Sequence, residues 1–269
     1  MRGVARRFGV RFQRRWGQNF IADRNQLNRI VEALELTPGD SVVEVGPGLG
    51  TLTVELASRV RAVVGIEIDP ASVRALALTL RDRTNVRIIE GDVLRTDVED
   101  LLPPPYRVAG NIPYNLTGAL LTHLLERPHP PARIDLLVQQ EVADRIVAPP
   151  GGWSLATLGV RVYGRPERVL RVPRTAFVPQ PQVDSALVRI VPEAEPALPR
   201  EVLPSFFKFV TPFFQARRKQ LPFVLARSLG VDGAEARRRL AVIGIDPRRR
   251  AETLTLEEWR RFFEREHRN

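Results

Sequence analysis

Short β-branched apolar runs alternate along this chain with stretches of helical spacing. Ser41–Val45, Ala62–Ile66, Val86–Glu90, Tyr106–Ala109 and Ile134–Val138 are runs of the length and composition that pack as buried strands. Asp23 can cap a helix whose apolar positions Leu27, Ile30, Val31 and Leu34 recur at helical spacing. Helices are also predicted over Thr51–Leu56, Leu116–Leu125, Glu141–Val147 and 154–163, and further strands over Val169–Val172 and Ala186–Val191. Strands alternating with helices predict an α/β fold built on a mostly parallel sheet. Pro192–Pro199 reads as a linker, and beyond it only helices are expected, at 201–216, 218–229, 234–243 and 255–266. The last begins with a capping box, Thr255 with Glu258. The pattern thus divides into a basic arm at 1–16, an α/β domain at 17–192 and a helical domain at 200–269.

The strand ends carry the candidate chemistry. The first runs into Gly46-Pro47-Gly48-Leu49-Gly50, where glycines let the backbone approach a ligand closely. The spacing is neither the G-x-G-x-x-G of dinucleotide binders nor a phosphate loop, so a ligand such as S-adenosylmethionine suits it better. The second strand ends at Glu67, placed to accept both hydroxyls of a ribose; Asp69 before Pro70 reads as a helix cap. The third ends in Gly91-Asp92-Val93, where an acid can meet an adenine amine. The fourth runs into Asn111-Ile112-Pro113-Tyr114. There the Asn111 oxygen and a carbonyl of the Ile112–Pro113 turn can accept hydrogens from an exocyclic amine, and the Tyr114 ring can stack on a base. By itself this stretch reads equally well as a turn followed by a core tyrosine. Phe177, opening the stiff loop Phe177–Ser185, is either a second aromatic wall or a core residue.

Composition narrows the classes. The 269 residues contain no cysteine, and His123, His129 and His267 lack metal-ligand spacing, so no metal is expected. No apolar run approaches the ~20 residues of a membrane helix, and no h-region follows the basic start, so a cytoplasmic protein that does not engage membranes is expected. The net charge is +10 and the pI about 11.1, which points to a polyanionic partner. Nearly all of the positive charge is arginine, clustered within the first fifteen residues and at Arg217-Arg218-Lys219, Arg237-Arg238-Arg239 and Arg248-Arg249-Arg250. Ordinary solvated faces are the alternative.

Taken together, these motifs resemble the adenine-N6 dimethyltransferases of ribosomal RNA, and within them the KsgA/Dim1 branch acting on small-subunit RNA. The likeness covers nearly the whole chain: Gly17-Gln18-Asn19-Phe20, Glu44–Gly50, Asn111-Ile112-Pro113-Tyr114, Phe177–Ser185, Gln140–Ala148 and Arg217-Arg218-Lys219 each match a motif of the group. It implies a class I, Rossmann-like, S-adenosylmethionine-dependent methyltransferase with a seven-stranded sheet and a small all-α C-terminal domain for RNA recognition. It further implies that Asn19, Ile21, Gly46, Gly48, Glu67, Ile68, Asp92, Val93 and Asn111 hold the cofactor. Asn111, Pro113, Tyr114 and Phe177 would position the target adenine, and Arg217, Arg218, Lys219 and Arg248 would bind RNA. The expected reaction dimethylates N6 of two adjacent adenosines in the 3′-terminal hairpin loop of 16S rRNA, on an immature 30S subunit, by a monomer. Two departures stand out. Gln220-Leu221-Pro222-Phe223 follows the basic triplet where the branch has another pattern, and Gly152-Trp153-Ser154-Leu155 looks more like the Erm enzymes of large-subunit RNA. An Erm-type enzyme and a non-catalytic assembly factor are therefore the alternatives.

Overall fold

The computed structural model describes residues 19–113 and 116–267. The basic arm at 1–16 and Tyr114 lie outside the described residues. Nine strands and ten α-helices are described. The strands are β1 (Phe20–Ile21), β2 (Ser41–Val45), β3 (Ala62–Glu67), β4 (Val86–Glu90), β5 (Arg107–Asn111), β6 (Arg133–Gln139), β7 (Gly164–Val172), β8 (Phe177–Val178) and β9 (Ser185–Pro192). The helices are α1 (Arg24–Ala33), α2 (Thr51–Ala57), α3 (Pro70–Thr79), α4 (Thr117–Leu125), α5 (Gln140–Val147), α6 (Leu155–Arg161), α7 (Leu203–Gln215), α8 (Leu221–Leu229), α9 (Gly233–Val242) and α10 (Leu256–His267).

Seven strands form one sheet in the order β4-β3-β2-β5-β6-β9-β7. β4, β3, β2, β5 and β6 pair in parallel, and β9 is antiparallel to β6. This is the mostly parallel seven-stranded sheet expected from the alternation. β2 is buried along its whole length, as a central parallel strand covered on both faces must be. Connections run outward from β2 through β3 to β4 and then return to β5, so the strand order reverses between β2 and β5. Ligands bind at such a reversal, outside the carboxyl ends of the strands. α1 starts at Asp23, whose carboxylate accepts from the backbone N–H of Asn25 and Gln26 at 2.8 and 3.1 Å, and it buries Leu27, Ile30 and Val31. The strand expected at Tyr106–Ala109 begins and ends slightly later, at Arg107–Asn111, so Asn111 is its last residue.

At the opposite ends of these strands lies an ion network that the linear pattern did not announce. Asp135, 2% exposed, takes Arg189 Nε at 3.0 Å, Arg133 Nε at 2.7 Å and Arg107 at 3.4 Å. The same three guanidiniums donate to the carbonyls of Ala33 and Leu34 at the carboxyl end of α1. Cations there satisfy the orphan carbonyls and the negative end of the helix dipole.

The chain separates into two compact units. One comprises the chain through Asp144 together with Arg165–Pro192, and the other Arg145–Gly164 with the chain from Glu193. This division differs from the 17–192 domain read from the sequence, because residues 145–164 group with the helical unit. Local bonds explain it: Gly151 and Trp153 donate their N–H to the Glu252 carbonyl at 2.8 and 3.4 Å, and Glu193 and Ala197 donate to Tyr163 and Val162 at 2.8 Å each. The latter pair also anchors the segment expected to be a linker. The helical unit is organised on an aromatic cluster. Phe209 meets Phe262 edge-on at 5.0 Å and Phe206 meets Phe263 at 5.4 Å, while Trp259 is fully buried. The expected capping box of α10 is present, with Glu258 Oε2 accepting from Thr255 N at 2.8 Å and Thr255 Oγ1 from Glu258 N at 3.2 Å.

Candidate active site

Parallel register brings the sequence-predicted residues to neighbouring strand ends. Val45 pairs with Ile66 and Gly110, and Glu67 pairs with Glu90, so Asp92, Glu67, Gly46 and Asn111 follow one another across the adjacent ends of β4, β3, β2 and β5. Gly46 sits at φ +68°, a conformation side chains rarely adopt, with nothing within 4 Å of where a Cβ would stand. That open face of backbone is where a ligand can lie against the loop. Gly110 meets a stricter limit, since a Cβ there would come within 2.5 Å of the Val45 carbonyl.

Glu67 is 4% exposed. Its Oε2 accepts from Gly48 N and its Oε1 from Asp69 N, both at 2.9 Å, which ties the glycine loop to the end of β3. An ionised carboxylate has about four lone-pair sites, so two backbone bonds leave capacity for two hydroxyls. Burial pushes the Glu67 carboxyl above the usual carboxylate range, against the pull of the backbone amides of Asp69 and Gly48. Next to it Ile68 is 40% exposed, an uncovered apolar side chain beside a buried acid. Asp69 caps α3, as read from its place before Pro70, accepting from Ala71 N at 3.2 Å. Asp92 caps a short 3₁₀ turn at Val93–Arg95 through Oδ1, which accepts from Leu94 N at 3.0 Å. Val93 is buried behind it.

Asn111 is held by its amide end. Nδ2 donates to the backbone carbonyl of Asn19, a bond that spans 92 residues. Only the NH2 can pair with a carbonyl, so the orientation of the carboxamide is decided and Oδ1 is the end left to accept. Ile112 is buried and donates its N–H to Leu137 O at 3.1 Å, which fixes the turn to β6. The Pro113 carbonyl accepts from Leu116 N at 2.9 Å and keeps a second lone pair.

The N-terminal motif is brought to this place by β8. Phe20 pairs with Val178 and Ile21 with Phe177, and the Ala176 carbonyl accepts from Ala22 N at 2.7 Å. Segments 19–21, 111–113 and 176–178 therefore converge. Phe20, quoted in the motif but given no role, packs with Leu49 and Ala75, and a Cβ on Gly48 would come within 2.6 Å of its ring. Its aromatic type beside Asn19 was the available signal.

Phe177, weighed as a second aromatic wall, is only 2% exposed and packs in the core cluster with Ile21, Leu27 and Ile30. As placed, the ring presents no open face; its strand pairs with β1, and that pairing turns it inward. Glu44, one strand residue before the loop, is 2% exposed, and its Oε2 has no hydrogen-bond partner. Burial raises its carboxyl to about 8, opposed by the Thr53 hydroxyl and reinforced by Glu67.

Among the expected RNA contacts, Arg217, Arg218 and Lys219 are exposed. Arg217 and Arg218 have no acidic partner among the described residues. Arg248 differs: its guanidinium pairs with Asp246 at 3.0 Å, which also lowers the Asp246 carboxyl, so part of its charge is already matched. In the same triplet Arg249 pairs with Glu258, and in the preceding one Arg239 pairs with Glu235 and Glu266. Among the described residues no cluster of acids and histidines could hold a metal ion, and no helix is long and apolar enough to cross a membrane.

The profile of the family described as ribosomal RNA adenine dimethylase matches residues 9–267 of this chain. A ribosomal RNA small subunit methyltransferase A of Moorella thermoacetica is 43% identical over 255 residues, covering 90% of this chain and 88% of the relative. The crystal structure of the 23S rRNA methyltransferase ErmE superposes with a TM-score of 0.74 at 32% identity, covering 92% of this chain and 99% of that one. A dimethyladenosine transferase from Plasmodium falciparum, 20% identical, shares the fold with a TM-score of 0.75 over 90% of this chain and 95% of that one.

Proposed function

Since the chain belongs to the ribosomal RNA adenine dimethylase family and is a methyltransferase, we propose that it dimethylates N6 of two adjacent adenosines in the 3′-terminal hairpin loop of small-subunit rRNA, using S-adenosylmethionine. In this reading it acts as a monomer in the cytoplasm, on immature small subunits, and contributes to their biogenesis. The observation that carries the chemistry is the Asn111 carboxamide, whose nitrogen is committed to Asn19 and whose oxygen is left to accept a hydrogen from an amine.

S-adenosylmethionine, when bound, supplies an electrophilic methyl group. The strand-end residues fit it: Gly46 offers open backbone, Glu67 lone pairs for a ribose, Ile68 an apolar contact and Asp92 an acceptor for the adenine amine, with Asn19, Ile21, Gly48 and Val93 completing the enclosure. The target nitrogen is a poor nucleophile because its lone pair is delocalised into the ring. Asn111 and Pro113 contain no titrating group, so catalysis comes from position and electrostatics. Hydrogen bonds from N6 to Asn111 Oδ1 and to the turn carbonyl direct the lone pair toward the methyl group. Tyr114 stacks on the unstacked base. Phe177 takes part only if substrate binding opens the β1–β8 pair. Arg217, Arg218 and Lys219 supply phosphate contacts, and Arg248 does so only in exchange for Asp246.

Two observations favour the small-subunit target over the Erm-type alternative. Identity to the small-subunit relative is 43%, against 32% to ErmE. The Erm-like Trp153-Ser154-Leu155 serves the local fold, since Trp153 is 3% exposed and Ser154 caps α6 in a capping box with Thr157. Offering the purified protein immature small subunits and naked large-subunit RNA, with the modified nucleotides mapped, tests this. Dimethyladenosine confined to the large-subunit RNA would overturn it.

A further inference from the structure

The basic triplet continues into a segment that departs from its family's pattern and carries an unusual side chain. Phe223 is 50% exposed and is the one aromatic ring among the exposed large apolar side chains of the described residues. Of the other phenylalanines of the helical unit, Phe206, Phe213, Phe214, Phe262 and Phe263 are buried and Phe207 and Phe209 are half-buried. α8 has its own core face, Leu221, Val224 and Leu225, and Phe223 stands outside it. Lys219 Nζ lies 5.0 Å from the centre of its ring. Arg227, four residues on and exposed, falls on the same helix stripe. Residues 202–231 contain no acid at all. An apolar ring framed by unmatched cations is a poor surface for a protein core, and it matches a nucleotide, which joins a flat π-face to an anion.

We propose that Phe223 is a stacking platform for an unpaired base of the RNA, with Arg217, Arg218 and Arg227 taking the flanking phosphates. Lys219 would then exchange the ring for a phosphate or sit over the stacked base. The inference rests on the RNA-binding reading above and assigns it a single-stranded element beyond the methylated nucleotides.

The test compares a short unstructured RNA with a duplex RNA of equal charge, binding wild type, Phe223→Ala, Phe223→Leu and Phe223→Trp. Phe223→Ala and Phe223→Leu should bind the single strand roughly five- to a hundredfold more weakly. Phe223→Trp should bind it as wild type does. Duplex affinity, the salt slope and the melting temperature should stay put in all three, because the ring is exposed and uncharged. Equal loss on both RNAs, loss on neither, or full affinity in Phe223→Leu would overturn the platform. So would a dimer in sedimentation that Phe223→Ala dissociates, which would make this face a contact between copies of the chain. Failure of the underlying reading looks different, since wild type itself would then bind neither RNA.

Discussion

The strand ends of the sheet and the basic surface of the helical unit treat polar groups in opposite ways. At the strand ends each polar side chain is already half used. Asn111 is anchored through its nitrogen, Glu67 through two backbone amides and Asp92 as a cap, so each keeps only part of its hydrogen-bonding capacity. On the helical unit the arginines sort into two classes, those matched by an acid, such as Arg239 and Arg249, and those left exposed, such as Arg217 and Arg218. Fixed, partly desolvated groups can orient a weak nucleophile, because no reorganisation is left for the reaction step. Solvated charges cannot orient anything, but they attract a polyanion at little cost to the fold. Positioning is concentrated in the first region and affinity in the second.

The largest expected effect tests whether Phe177 belongs to positioning or to packing. Phe177→Ala should lower stability by about 3–5 kcal/mol, as for other buried phenylalanines, read from denaturant unfolding. Phe177→Leu keeps most of the volume. If that variant is stable yet slow in methyl transfer, the ring also serves the base. For Asn111→Ala a drop in turnover of about 10²–10³-fold is expected, with some loss of cofactor affinity. Asn111→Ala retaining wild-type turnover in single-turnover methylation would remove the centrepiece of the site.

Glu44 sharpens the contrast through pH. Below about pH 4.5 it is protonated in both folded and unfolded chains, and its burial costs nothing extra. As pH rises from 4.5 toward about 8 the unfolded chain ionises first, so folding stability falls across that window and levels off above it. Glu44→Gln should therefore gain on wild type by on the order of a few kcal/mol at the alkaline end and by almost nothing at the acid end. Melts at both ends of the window check it. A gain independent of pH would mean that the carboxyl titrates normally.

Glu67→Ala should weaken S-adenosylmethionine binding by about 1–3 kcal/mol in a calorimetric titration. Because its pKa is raised, affinity in wild type should start to fall while pH is still above 4.5, as protonation removes the acceptor. The smallest effect belongs to the exposed arginines. Replacing Arg217 and Arg218 should flatten the salt dependence of RNA binding by about one unit of slope per residue and leave cofactor affinity alone. Replacing Arg248 should do less, since Asp246 already neutralises part of it.

What the sequence by itself determined is local. Alternating apolar runs specified a mostly parallel α/β sheet, glycines at φ +68°, +60° and +83° marked the loop after β2, and Asp23, Asp69 and Thr255 announced their helices, because each depends on residues a few positions apart. That Gly46, Glu67, Asp92 and Asn111 each stand at a strand end was also legible, and the parallel sheet gathers those ends on one edge in the spatial order Asp92, Glu67, Gly46, Asn111. Tertiary structure alone decided the partnerships. Asn19 meets Asn111 across 92 residues, and Asp135 gathers Arg189 from 54 residues away. It turned Phe177 inward, engaged Arg239 with Glu266 and Arg249 with Glu258, and left Arg217, Arg218 and Phe223 outside. An arginine or a phenylalanine reads the same in a sequence whether it is matched or free. Burial and charge neutralisation are properties of neighbours, and neighbours distant in the chain are chosen by the fold.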